Sequence, residues 1–148
     1  MSKIKTKSMA LILTYSLGND LYGLEIDAIQ EIIENPVLHY VPRAEGVLTG
    51  SINFHGQILA VIDLPKLLGF AGNQRDHRHL VLTSEYRSLV LKTCSVERIV
   101  NLEMELLQPP PDGHDRPAVR GIIDFNETTI NLLDTDEVTK QLEDIFAE

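Results

Sequence analysis

The sequence is poor in cysteine, in positive charge and in apolar runs long enough to cross a bilayer. Cys94 is the one cysteine, which excludes a disulfide framework and a cysteine-built zinc centre. It follows the apolar run Leu89-Val90-Leu91 with no evident base nearby, so it reads as a buried bystander rather than a nucleophile. Lys and Arg number 13 against 22 Asp and Glu, for a net charge of −9. That imbalance disfavours a nucleic-acid backbone and an anionic membrane surface as partners. No apolar stretch has the length of a membrane span, and Met1 to Lys7 lacks a signal-peptide core. The expectation is a soluble cytoplasmic chain with a frayed tail over residues 1–8, no direct membrane insertion and no nucleic-acid partner.

Catalytic and ligand-binding signatures are equally scarce. Gly69-Phe-Ala-Gly72 lacks the Lys-Ser/Thr pair of a phosphate loop. No His-Glu-x-x-His, Gly-x-Ser-x-Gly or Cys-x-x-Cys occurs. His77 and His79 have only Asp76 beside them, so the segment reads as a solvated loop rather than a metal site. His39 and His114 stand alone. No cofactor and no metal are expected.

What the chain does have is a duplication. Gly50-Ser-Ile-Asn-Phe-His-Gly-Gln-Ile-Leu-Ala-Val-Ile-Asp63 returns as Gly121-Ile-Ile-Asp-Phe-Asn-Glu-Thr-Thr-Ile-Asn-Leu-Leu-Asp134, at an offset of 71 residues (121 − 50). The glycine, the Ile52/Ile123 and Phe54/Phe125 pairs, two late aliphatics and the closing aspartate coincide. Upstream, Leu11-Ile-Leu-Thr14 recurs as Leu80-Val-Leu-Thr83, and Ala28 to Ile33 recurs loosely as Ser95 to Val100. Two copies are too few for a solenoid, so they predict two similar subdomains. At 148 residues and 43% hydrophobic, each half is too small to stand alone and must share an apolar seam with the other. The halves are drawn at about 9–78 and 79–140, with interleaving left open, inside one domain spanning 9–147.

Residues 9–16 and 21–26 predict a hairpin around Gly18-Asn19-Asp20. Asp27-Ala-Ile-Gln30 has capping-box spacing, and Ile29, Ile32 and Ile33 share a helical face, so a short helix is predicted there and ends at Asn35-Pro36. Val37 to Val41 predicts a strand. Ser51 to Phe54 and Gln57 to Ile62 predict two strands joined at His55-Gly56, and Asp63 with Pro65 predicts a short capped helix. Residues 69–79 read as an irregular junction, and 80–84 with 88–93 as the next hairpin. Gln108 to Gly113, with three successive prolines, predicts a stiff surface loop. Val138, Leu142, Ile145 and Phe146 line one face of a terminal helix opened by Asp134.

The block Gly50 to Leu64 resembles the CheW family of bacterial chemotaxis coupling proteins, whose signature here runs glycine, aliphatic, x, Asn-Leu-Arg-Gly, aliphatics, Asp-Leu. Tyr22-Gly-Leu-Glu-Ile26 followed by Ile29-Gln-Glu-Ile32 is similar to that family's preceding block. The resemblance spans about residues 9–147. It implies a mainly β fold of two small five-stranded β-barrels around a shared hydrophobic seam, with short helices and a C-terminal helix. It also implies a non-enzymatic chemotaxis adaptor in signal transduction, associated with receptor arrays at the inner face of the membrane. The implied partners are the regulatory domain of a CheA-type histidine kinase and the cytoplasmic tip of a methyl-accepting chemoreceptor. Carried over by position, the receptor-side candidates are Ile29, Glu31, Asn53, His55 and Gly56; the kinase-side candidates are Tyr40 and Val41. The chain departs from the family at His55, where arginine is usual, and at Ala60, where proline is usual. A permanent planar cation is thereby replaced by a shorter side chain, mostly neutral at pH 7. This leaves open an adaptor of a non-flagellar array, for surface motility or development. The competing reading is a small β-barrel enzyme or ligand binder using Asp63, Asp134 and His55. Against it, both aspartates follow a strand and suit helix caps, while Asn53 and Asp124 suit hairpin turns.

Overall fold

The computed structural model describes residues 8–17, 19–41, 46–70, 78–86, 88–94, 96–110 and 118–146, with the side chains of Ile145 and Phe146 left aside. Ten strands are described: β1 (Met9–Leu17), β2 (Asp20–Glu25), β3 (Ile29–Ile33), β4 (Leu48–Phe54), β5 (Gln57–Asp63), β6 (Arg78–Leu82), β7 (Val90–Thr93), β8 (Val96–Glu103), β9 (Val119–Phe125) and β10 (Thr128–Leu133). Two α-helices join them, α1 (Leu64–Leu67) and α2 (Thr135–Phe146). The strands form two five-stranded sheets, ordered β8-β1-β2-β10-β9 in sheet A and β3-β6-β7-β5-β4 in sheet B. The predicted class stands: mainly β, two five-stranded units, short helices and a C-terminal helix.

The duplication explains why the two sheets have one plan. Exchanging β1 with β6, β2 with β7, β3 with β8, β4 with β9 and β5 with β10 turns one strand order into the other. Sheet B is built from one continuous segment, residues 29–93, whereas sheet A joins the β1–β2 hairpin to β8, β9 and β10. Each sheet thus draws strands from both sides of residue 78.

Alternation along the strands divides the apolar residues between three cores. Leu13 on β1, Leu80 and Leu82 on β6, Leu91 on β7, Ile62 on β5 and Leu133 on β10 point into the central seam. Their neighbours Ile12 and Leu132 fill the inside of sheet A, and Val61, Val81 and Val90 fill the inside of sheet B. Strands buried on both faces need unbroken apolar runs rather than alternation, which is what Leu80-Val81-Leu82 supplies. Tyr15 and Tyr22 face each other across β1 and β2, stacked at 6.1 Å. Helix α2 seals the seam with Val138 and Leu142, both fully buried, as the predicted apolar face requires. Cys94 is buried in the same core and donates to the Ser16 carbonyl at 2.7 Å.

The expected barrels are not closed by ladders. Among the described residues, sheet A is tied across its ends by a single bridge, Gln108 to Ile122, and sheet B by the equivalent bridge, His39 to Ser51. In sheet B the chain leaves β3 through Asn35, at φ +48°, and Pro36, which has no donor, so a continuous ladder cannot form. The predicted strand over 37–41 accordingly contracts to the His39 bridge. These bridges account for the repeated glycines. A Cβ on Gly50 would stand 2.7 Å from the His39 carbonyl oxygen, and one on Gly121 would stand 2.5 Å from that of Gln108.

The predicted helix at Asp27 is also corrected. Residues Ile26–Ala28 make one 3₁₀ turn with no side-chain cap, and Ile29 to Ile33 continue as β3 beside β6. Two helical turns nucleate poorly, and three isoleucines suit a pleated strand whose partner is already present. His79, expected in a solvated loop, is buried on β6 between Ile33 and Lys92. His77, His114, the proline-rich loop from Pro111 onward and residues 1–7 lie outside the described residues.

Candidate docking surfaces

The two recurring aspartates have matching structural roles. Asp63 Oδ1 accepts from the Lys66 amide at 3.1 Å and Asp134 Oδ1 from the Glu137 amide at 3.2 Å, each capping the helix that follows its strand. Their own amides donate to Val47 and Ala118, residues again 71 apart, at 2.7 Å in both copies. Asp63 closes β5 at the end remote from His55, roughly 20 Å away at the usual strand rise. The side chains of the competing enzymatic reading are therefore not assembled into one site.

The receptor-side candidates fall on two parts of sheet B, β3 and the β4–β5 tip. β5 runs parallel to β7, β7 antiparallel to β6, and β6 antiparallel to β3. β3 and β5 consequently point the same way, with β6 and β7 between them, and the register sets Glu31 level with Val61, four residues along β5 from Gln57. Ile29, half-buried, and exposed Glu31 stand on strand β3 instead of the expected helix. Asn53, His55 and Gly56 form the β4–β5 tip.

This tip is a two-residue hairpin loop with φ +49° at His55 and +83° at Gly56, the left-handed pair of a type I′ turn. Asn53 Oδ1 accepts from the Gly56 amide at 3.1 Å and fixes the loop. The His55 imidazole packs edge-on against the Phe54 ring, with centroids 4.2 Å apart. Sheet A repeats the turn at Asn126 and Glu127, φ +46° and +66°, where Asp124 Oδ1 accepts from the Thr129 hydroxyl at 2.8 Å.

Tyr40 and Val41 lie just past the His39 bridge, where the chain runs antiparallel to β4 and away from the tip. Tyr40 is 84% exposed and Val41 half-buried; Val37, at 75%, and Leu38 add apolar surface alongside. The β4–β5 tip and the Tyr40 segment therefore lie in opposite directions along β4 from the His39 bridge.

Register reveals exposed apolar residues that the sequence reading missed. Ile58 is 80% exposed and lies opposite Asn53 beside the tip. Ile99 lies opposite buried Leu13, Leu11 is two residues before Leu13 on the same face, and Ile32 lies opposite buried Leu80. All three are 40% or more exposed, so the apolar seam continues to the surface on β1, β8 and β3. Patterning alone could not find them, because Leu11-Ile-Leu reads as uniformly buried.

At the matching end of sheet A, Thr14, Ser16, Asp20, Glu97, Arg98 and Thr128 line much of a cleft of about 430 Å³. Its Thr14 and Thr128 hydroxyls already donate to the Arg98 and Phe125 carbonyls, at 2.8 and 2.6 Å. Among the described residues, no helix is long and apolar enough to cross a membrane, and no group of His, Cys, Asp and Glu is placed to hold a metal ion.

Comparison with known proteins agrees with this architecture. The family model of the CheW-like domain matches residues 11–143. A chemotaxis protein CheW of Rhizobium meliloti is 25% identical over 132 residues, covering 86% of this chain and 85% of the relative. The CheW of Thermotoga maritima is 22% identical over 135 residues, covering 88% of each. Among solved structures, the scaffolding protein TtCheW of Thermoanaerobacter tengcongensis superposes with a TM-score of 0.76 at 25% identity, covering 86% of this chain and 90% of that one. The chain belongs to the CheW-like domain family, a family of non-enzymatic scaffolds and adaptors.

Proposed function

We propose that this chain is a cytoplasmic chemotaxis adaptor that couples a methyl-accepting chemoreceptor to a CheA-type histidine kinase at receptor arrays. The carrying observation is family membership across residues 11–143; exposed residues at the β4–β5 tip and, in the other direction along β4, at Tyr40 support it. The receptor-facing residues are Asn53, His55 and Gly56 at the β4–β5 tip, with exposed Ile58 beside them, and Ile29 and Glu31 on β3. A helical receptor hairpin suits them, because an amphipathic helix docks by laying its apolar face on such residues. The kinase-facing surface is the segment around Tyr40 and Val41, with Val37 and Leu38. An exposed tyrosine among aliphatics is the composition of an interface centre.

The mechanism is geometric. No bond is made or broken; the shared seam holds the two surfaces in fixed relation, so displacement of a receptor tip is passed to the kinase as a change of position. The unit that does this is the single domain 9–147. His55, where the family usually has arginine, is compatible with a second reading of the circuit alone, an array with an output other than flagellar swimming.

The test is co-sedimentation of the purified chain with a receptor cytoplasmic fragment and with the kinase regulatory domain. Binding to both supports the proposal, and failure to bind either removes it.

A further inference from the structure

We infer that the kinase regulatory domain docks by adding an extended strand of its own to the outer edge of sheet B, at Leu38 and Tyr40. This rests on the proposed kinase-facing surface and names its mode of docking.

His39 and Ser51 exchange both backbone hydrogen bonds, at 2.8 and 3.0 Å, so His39 turns its N–H and C=O toward β4. In an antiparallel ladder the residues on either side of a doubly bonded one turn theirs the other way. Leu38 and Tyr40 therefore present N–H and C=O groups along the side of the segment remote from β4. Among the described residues neither amide has a hydrogen-bond partner. The faces of the segment are open as well: Val37, Leu38, His39 and Tyr40 are all exposed. No Asp, Glu, Lys or Arg stands between Val37 and Val41, so the charges that ordinarily blunt an edge are missing.

The duplicate copy has the same edge closed. Gln108 exchanges two bonds with Ile122, both at 2.9 Å, as His39 does with Ser51. Before it, the Leu107 amide donates to the Met104 carbonyl at 3.2 Å, and the leucine side chain packs against the core of sheet A. After it come Pro109 and Pro110, which have no N–H to offer. Sheet A thus leaves no open donor on either side of its bridge, where sheet B leaves two. A row of open backbone donors and acceptors is completed by another extended strand; a helix cannot complete it, because its own backbone groups are already bonded. The occupant is accordingly a strand of the kinase regulatory domain, not the helical receptor hairpin, with apolar side chains that cover Val37, Leu38 and Tyr40.

The test uses the full chain with the kinase regulatory domain and compares wild type with Leu38→Ala and Leu38→Pro. Alanine removes the side chain and keeps the N–H; proline removes both and reproduces the edge found at Pro109. Thermal melts establish that the variants are folded, and amide hydrogen exchange is followed in the wild-type complex. Leu38→Pro is expected to bind about ten-fold more weakly than Leu38→Ala, the scale of one or two backbone hydrogen bonds. In the wild-type complex the Leu38 and Tyr40 amides should exchange about ten-fold more slowly than in the free chain. Equal binding by the two folded variants, or unchanged exchange at both amides within a formed complex, overturns the inference. Should proline unfold the chain, exchange in the wild-type complex decides alone. Failure of wild type to bind the regulatory domain would instead remove the kinase-facing reading beneath it.

Discussion

Replacing Gly121 by alanine should cost about 2–3 kcal/mol, because the new methyl has no room that the backbone can yield. Its Cβ would lie 2.5 Å from the Gln108 carbonyl oxygen and 2.9 Å from Leu107 Cγ and Cδ1. The leucine can turn aside, but that carbonyl accepts from the Ile122 amide at 2.9 Å, and the Gln108 amide returns a bond to Ile122 at 2.9 Å. Relieving the overlap therefore opens the bridge that ties β9 to the chain beyond β8. Overpacking of this kind costs about 1–3 kcal/mol, and each weakened hydrogen bond adds about 1 kcal/mol. The reduced freedom of the unfolded chain returns about 0.4–1 kcal/mol. Urea unfolding measures the difference as a lower midpoint at unchanged slope. Gly50→Ala should behave alike, through its 2.7 Å approach to the His39 carbonyl, and the two losses should add because they fall in different sheets. Gly56→Ala is the control. Nothing lies within 4 Å of its Cβ, so only the positive φ of 83° opposes it, at about 1–2 kcal/mol. A Gly121→Ala protein within about 0.5 kcal/mol of wild type would refute the close-approach argument.

The remaining predictions concern caps, turns and the seam. Asp134→Ala should lose about 1 kcal/mol and Asp134→Asn only a few tenths, read by thermal melting, with partner binding retained in the asparagine variant. Glu127→Gly should raise stability by about 1 kcal/mol in urea unfolding, since it removes a side chain from φ +66°. Tyr15→Phe should be neutral or stabilising by about 1 kcal/mol, because the buried hydroxyl finds no hydrogen-bond partner among the described residues. Burial, followed by the nearby Tyr22 and Cys94, raises the Tyr15 phenol well above its ordinary value of 10.0. Its contribution is thus complete below about pH 10 and falls as pH rises further, when the unfolded phenol ionises and the folded one does not. In alkaline unfolding, Tyr15→Phe should shed that part of the pH dependence.

Much of this fold was legible because duplication and punctuation are local signals. The repeat at offset 71 foretold two units of one plan, and His55-Gly56 between apolar runs foretold the β4–β5 hairpin. Asp63 before Pro65 foretold the α1 cap. Other features depended on partners distant in sequence. Ile29, Ile32 and Ile33 fit a helix or a strand equally by spacing, and β6, some 50 residues later, decides between them. His79 looked solvated among polar neighbours, yet strand pairing carries it into the interior. The exposure of Ile58, Leu11 and Ile99 depends on where the seam ends, which no window of sequence encodes. As a result, the hairpin-tip candidates could be located from sequence while the apolar surface beside them could not.

The central claim is that one rigid body holds a receptor and a kinase through separate surfaces. Co-sedimentation of the chain with a receptor fragment and the kinase regulatory domain together tests it most directly, using Tyr40→Ala and Asn53→Ala as probes of the two faces. The account predicts that wild type joins both partners in one complex, that Tyr40→Ala selectively loses the kinase, and that Asn53→Ala selectively loses the receptor. Mutual exclusion of the two partners, or loss of both through either substitution, would contradict it.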